Sequence, residues 1–232
     1  MRVGSVLSLT RYPVKSLGGE SLPRVEVTPR GLVGDRVCAV HTADGFIGSG
    51  KSSYRFRHVD GLLTLRARLS GDRPLVEFPD GTVAPAGDPD TDRRLSDLLG
   101  RPLSLRVETT VRHHDASPLH LVTTASLRRL EQLLGEPVDP RRLRANLVLD
   151  VDGTGFVEQA WPGRELHLGD RVVLALGEGM PRCAMVNAAQ PGLAHDPRVL
   201  KLIARENDLD LGLQATVRRP GPLAVGDPVH LC

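Results

Sequence analysis

Cys183, in the run Met180-Pro181-Arg182-Cys183, stands beside a cation. A soft thiolate suits either nucleophilic attack or a metal–sulfur centre, while the same residue type is equally at home as an inert core thiol. Near the start, Tyr12-Pro13-Val14-Lys15-Ser16 and Gly34-Asp35-Arg36 supply Lys15, Ser16 and Arg36. Two cations and a hydroxyl are the side-chain set for a phosphate, although a solvated lysine and an ion-paired arginine account for the same residues. His113-His114-Asp115 offers a metal cluster or a proton relay on residue types, against solvated loop histidines.

Gly45-Phe-Ile-Gly-Ser-Gly50-Lys51-Ser52 matches the phosphate-loop pattern G-x-x-x-x-G-K-[ST]. That mechanism needs a helix to begin at the lysine, because its free amides and dipole hold the anion. The residues that follow, Ser53 to Gly61, alternate like a strand and then meet glycine. No parallel βαβ unit surrounds the motif, so a glycine-rich hairpin carrying an exposed lysine is expected and no nucleotide.

The elements that must position these groups are short. Val3 to Thr10, Arg24 to Thr28, Arg36 to His41, Leu62 to Leu69 and Leu75 to Phe78 alternate as half-buried strands, punctuated by Asp44-Gly45, Gly71-Asp72 and Asp80-Gly81. They predict a small antiparallel barrel or sandwich. The stretch Ala84 to Asp92, rich in Pro, Gly and Asp, precedes a helical pattern from Arg93 to Leu99, and this divides the chain into units 1–90 and 91–232. In the second unit Thr124-Ala-Ser126 offers N-caps for an amphipathic helix carrying Leu127, Leu130, Leu133 and Leu134, closed by Gly135. Strands are expected at Asn146 to Val151, Glu165 to Leu168, Arg171 to Leu176, Leu213 to Arg218 and Pro228 to Leu231, and a helix from Pro197 to Glu206. The class is α+β, mainly β. Trp161, Phe156 and Cys38 read as core, and Cys232 as a frayed terminal residue.

Composition narrows the partners. Among 232 residues, 40% are apolar and 25% charged, which is ordinary for a folded chain. The formal charge of +2 is too small for a sequence-independent grip on nucleic acid, so any anion bound should be small. Three cysteines at wide spacing argue against a disulfide framework or a structural zinc site. No leader pattern and no run of roughly 20 apolar residues is present, so a reducing, cytoplasmic setting without a membrane is expected.

Set in order, Tyr12-Pro-Val-Lys-Ser16, Arg144-Ala-Asn146, the Phe156 to Trp161 segment, Arg182-Cys183 and the closing Pro220-Gly-Pro-Leu-Ala-Val-Gly226-Asp227 resemble a MOSC-family protein with its own N-terminal MOSC-associated barrel. This is the arrangement of the mitochondrial amidoxime-reducing components and their bacterial relatives. The resemblance covers nearly the whole chain and implies an N-terminal antiparallel β domain followed by a MOSC β-barrel with flanking helices, holding a molybdenum cofactor (molybdopterin) between them. It places Lys15, Ser16 and Arg36 at the phosphate of the pterin, Ser117 in a cofactor-binding segment, and Arg144 and Asn146 in an Arg-x-Asn motif beside Arg182. Cys183 falls on the molybdenum ligand, and is the catalytic residue. Asp115, Lys51 and Arg55 are second choices. Ala145 stands where proline is common, and the segment Gly48 to Phe56 departs from the amidoxime-reducing pattern, which bears on substrate choice. The implied activity is reduction of N-hydroxylated small molecules. Since no cysteine-rich ferredoxin module follows, electrons are expected from a separate ferredoxin-like, cytochrome or flavoprotein partner. A sulfur carrier with a persulfide on Cys183, and a non-catalytic cofactor carrier, are the alternatives.

Overall fold

The computed structural model describes residues 1–110 and 112–232. Seven strands close into a barrel. Going round it, Arg2–Arg11 pairs with Leu147–Val151, then come Leu119–Thr123, Asp210–Arg219, Val172–Pro181, Glu165–Leu168 and Pro228–Leu231, which pairs with Arg2–Arg11 again. Only Leu119–Thr123 and Leu147–Val151 run parallel within this ring, and helix α2 (Thr124–Leu134) makes their crossover. Alternation fills the interior: Leu147, Leu149, Leu121, Leu213, Leu174 and Trp161 point into one buried cluster. Val148 and Val122, on the other face of their strands, meet Leu127 and Leu130 of α2 and Val199 and Ile203 of helix α3 (Arg198–Asn207). These strands are therefore covered on both sides, and the helices form an outer layer over part of the barrel.

The N-terminal unit is built on Cys38–Thr42, which pairs with Leu103–Val107, Val14–Lys15 and Ile47–Ser49. A second sheet, Arg66–Ser70, Arg73–Glu77 and Val83–Pro85, packs with it around Val14, Leu17, Cys38, Val76 and Phe78. Helix α1 (Pro89–Leu99) closes that core with Leu95. Strand pairing crosses the residue-90 divide in both directions. Arg2–Arg11 lies in the barrel, Arg24–Thr28 pairs with Gly221–Ala224, and Leu103–Val107 returns to the N-terminal sheet.

Several expected elements shift in place. Leu62–Thr64 is a short 3₁₀ turn and the strand begins only at Arg66, because adjacent Leu62 and Leu63 are both buried and alternation fails there. Helix α1 starts at Pro89, four residues ahead of the Arg93 expectation, with Asp88 accepting from the Asp90 amide at 2.9 Å. The cap of α2 is Thr123, one residue before the expected Thr124-Ala-Ser126, and its hydroxyl accepts from the Ser126 amide. Cys232 is exposed but not frayed, since its backbone exchanges two hydrogen bonds with Glu165. Gly45 to Ser52 forms no phosphate cradle: Ile47–Ser49 and Phe56–His58 are strands and no helix starts at Lys51.

Candidate active-site cleft

A cleft of about 210 Å³ opens between the N-terminal unit and the end of the barrel. Lys15, Ser16, Arg36, Lys51, Asp115 and Ser117 line it from one side of the chain order, and Arg144, Asn146, Arg182 and Cys183 from the other. Of the site residues that the family resemblance implies, Arg55 alone lies outside it, and His113 and His114 do not line it either. Arg55 donates to the Arg112 carbonyl at 2.6 Å, and its guanidinium sits 5.3 Å from the Phe56 ring centroid.

Sharp turns deliver these groups. Lys15 ends a two-residue strand held parallel to Cys38–Ala39, and Ser16 then takes a left-handed φ of 68°. Arg36 and Arg144 have φ of 52° each. Left-handed backbone is costly for a residue with a Cβ, so three such positions around one cleft mark a site whose geometry is enforced by the surrounding fold. Arg144 leaves the 3₁₀ turn Pro140–Leu143, anchored by Leu143 in the helical layer, and Cys183 joins Val172–Pro181 to the turn Ala184–Asn187, anchored there by Val186.

The electrostatics are lopsided. Lys15, Arg36, Lys51, Arg142, Arg144 and Arg182 bring six cations, against the carboxylates of Asp115 and the fully buried Asp35. Lys15 bonds Asp115 Oδ1 at 2.6 Å, and Lys51 reaches Oδ2 at 3.5 Å. Arg36 is paired with Asp35, as the ion-paired reading of that arginine expects. Among the described residues Arg142, Arg144 and Arg182 pair with no carboxylate. Arg144 donates to Leu17 O at 2.7 Å and Arg142 to Ala194 O at 2.7 Å. Arg182 donates to Leu143 O at 2.8 Å and Leu211 O at 2.9 Å. Carbonyls satisfy donors but do not cancel charge, so burial pushes Arg144 down to about 10 and Arg182 to about 9, and burial pushes Lys15 down to about 8 in spite of Asp115. Aromatic faces hold part of the array: Arg36 and Arg144 lie 5.1 and 4.4 Å from the Tyr12 ring, and Lys15 lies 4.7 Å from Phe56.

The remaining groups divide by role. Asn146, 1% exposed, spends its amide inside the protein: Nδ2 donates to Thr10 O, while Oδ1 accepts from the His120 amide at 3.3 Å and from Arg36 at 3.4 Å. Ser117 Oγ donates to Leu119 O at 2.6 Å. Cys183 is a free, half-buried thiol, flanked along the wall by Met180, Pro181, Met185 and Val186. The cleft thus has a cationic flank and a sulfur-rich apolar flank.

His113 and His114 are buried, contrary to the solvated-loop expectation. Burial pushes them down to about 4 and about 3, and His114 stands 3.8 Å from Asp35. His120 and Arg142 line the cleft without having been singled out. His120 carried a signal, as the one polar interruption in the apolar run Leu119-His-Leu-Val122; nothing in Arg141-Arg142-Leu-Arg144 distinguishes which arginine turns inward.

Among the described residues no three His, Cys, Asp or Glu side chains converge on a metal position. A metal at Cys183 would have to arrive with most of its own ligands, on a cofactor whose anionic tail meets the cationic flank. The residues present fit a group of that kind. No helix among the described residues is long and apolar enough to cross a membrane.

Comparison with known proteins agrees with this geometry. The MOSC N-terminal beta barrel domain matches residues 3–86 and the MOSC domain matches residues 108–230. Mitochondrial amidoxime-reducing component 1 of Mus musculus is 26% identical, with 99% of this chain and 83% of that protein covered. The crystal structure of the YuaD protein from Bacillus subtilis superposes with a TM-score of 0.55 at 13% identity, covering 99% of this chain and 95% of that one, and shares the fold. Two matching domains in the expected order, on a closed barrel that frames a cationic cleft and a free thiol, establish that the chain belongs to the MOSC family.

Proposed function

We propose that the chain binds a molybdenum cofactor in this cleft and acts as an oxidoreductase on N-hydroxylated small molecules, taking electrons from a separate protein. The observation that carries the reading is the pairing of a cationic flank, only partly neutralised by Asp35 and Asp115, with one free thiol across a single cleft. Similarity to an amidoxime-reducing component supports it. In this reading Lys15, Ser16, Arg36 and Arg144 hold the terminal phosphate of the pterin, and Cys183 is the protein's ligand to molybdenum. When bound, the cofactor would supply two-electron redox chemistry for the reduction of such a substrate.

The chain's own groups do the rest. The Asp35–Arg36–Asn146 hydrogen bonds keep the phosphate side fixed to the barrel. Asp115 occupies Lys15 and Lys51 until a stronger anion competes for them. Met180, Pro181, Met185 and Val186 offer an apolar wall for an uncharged organic substrate and displace water from it.

Protein purified from a host that makes the cofactor is expected to carry near-stoichiometric molybdenum and pterin, and Cys183→Ala to lose both. Absence of both from the unaltered protein overturns the reading. Cyanide-releasable sulfur on Cys183 without metal would replace it with sulfur transfer.

A further inference from the structure

His120 and Arg182 meet at the cleft with nothing between them: Nη2 of the guanidinium contacts Nε2 of the ring. His120 is 5% exposed and stands on Leu119–Thr123, while Arg182 follows Val172–Pro181, and Asp210–Arg219 separates the two strands in the sheet. The separating strand makes room through Gly212. A Cβ at that position would lie 2.7 Å from His120 Nε2 and closer still to the Leu121 carbonyl, and the residue's φ of 76° suits glycine. Contact across an intervening strand is therefore built into the backbone.

The chemistry of the pair is one-sided. A guanidinium has donors only, so the ring nitrogen facing it must present a lone pair, and the proton of the neutral imidazole then resides on Nδ1. Burial, with Arg182 and Arg36 facing the ring, drives its pKa well below the ordinary histidine value against the opposing effect of the Arg144 and Leu211 backbone, in accord with a neutral ring. The other acceptors of Arg182, Leu143 O and Leu211 O, belong to the backbone, so among the described residues His120 is its side-chain partner.

We propose that His120 is a positioning residue: as an Nδ1-protonated imidazole it is the side-chain acceptor that fixes the guanidinium of Arg182, the residue preceding Cys183. Its backbone amide donates to Asn146 Oδ1, which also accepts from Arg36. One residue thereby ties the cationic flank to the thiol flank. The role follows from the side chains themselves and does not rest on which cofactor the cleft takes.

The test uses nitrogen-15 spectra of the full chain. His120 Nε2 is expected at a pyridine-type shift and Nδ1 at a pyrrole-type shift, both unchanged from about pH 6 to about pH 8. Protonation on Nε2, or titration within that interval, overturns the proposal. Two variants separate acceptor from filler. Exchange of the Arg182 side-chain N–H groups should accelerate at least ~10-fold in His120→Leu and stay within ~2-fold of the parent in His120→Gln, which keeps an acceptor. Equal exchange in the two variants, or parent-like exchange in the leucine variant, overturns it. If the leucine variant does not fold, the tautomer of the parent chain still decides.

Discussion

Lys15 concentrates the logic of the cleft. The residue is 3% exposed, and burial lowers its pKa to about 8, with Asp115 opposing that fall. The folded-state value lies below the ordinary 10.5, so the folded chain gives up this proton first, and this group contributes stability that grows as pH rises from about 8 toward 10.5. Anion binding has the opposite sign, because a bound anion favours the charged ammonium. Sulfate, whose charge is constant across the interval, should therefore bind more weakly as pH rises through about 8. Calorimetric titration of the chain with sulfate, with and without Lys15→Met, checks this: the parent affinity should fall several-fold from about pH 7 to about pH 8.5, below the value of Arg182, and the variant should bind weakly with no such step in that interval. A flat parent profile would place the anion elsewhere. Cys183 shows the complementary lesson. Its residue type allowed a core thiol, a nucleophile or a ligand, and the half-buried position beside a cation array removes the first.

At the level of elements, local chemistry was legible and long-range pairing was not. Helix α2 was readable because leucines recur at helical spacing and Gly135 ends it, with φ of 80°. Its cap was misplaced by one residue, since Thr123 and Thr124 are equivalent as types and only the fold decides which hydroxyl meets the Ser126 amide. Gly135→Ala isolates the stop signal. No atom lies within 4 Å of the added Cβ, so the cost is backbone strain alone. A loss of about 1 kcal/mol in urea unfolding is expected, with binding in the cleft unchanged. The strands Arg24–Thr28, Glu165–Leu168 and Pro228–Leu231 coincide with their alternating sequence, because alternation is a property of each strand by itself. That Arg2–Arg11 bridges Leu147–Val151 and Pro228–Leu231 depends on partners more than a hundred residues away, and no local pattern carries it. The site followed the same rule. Lys15, Arg36, Arg144 and Cys183 stood out by type and order, whereas His120 and Arg142 acquire meaning only once separated strands and turns meet.

For the whole molecule, exchange of strands between the two units makes their stabilities inseparable. Removing the first strand from the ring opens the barrel, and removing Leu103–Val107 strips an edge from the sheet that positions Lys15. The links Arg36–Asn146 and Lys15–Asp115 span the same junction, and unfolding of the second unit alone would leave Lys15 without its carboxylate. Unfolding should therefore be one cooperative transition rather than two. Two native probes report on the two cores. Trp161, the single tryptophan, is packed inside the barrel, and Cys38, fully buried, lies in the N-terminal core. Fluorescence of Trp161 and pulsed alkylation of Cys38, the latter read on its own peptide, should give coincident urea midpoints. If Cys38 became reactive well before the fluorescence changed, the N-terminal unit would be opening alone. The cleft would then be assembled by docking of two independent bodies rather than by a shared set of strands.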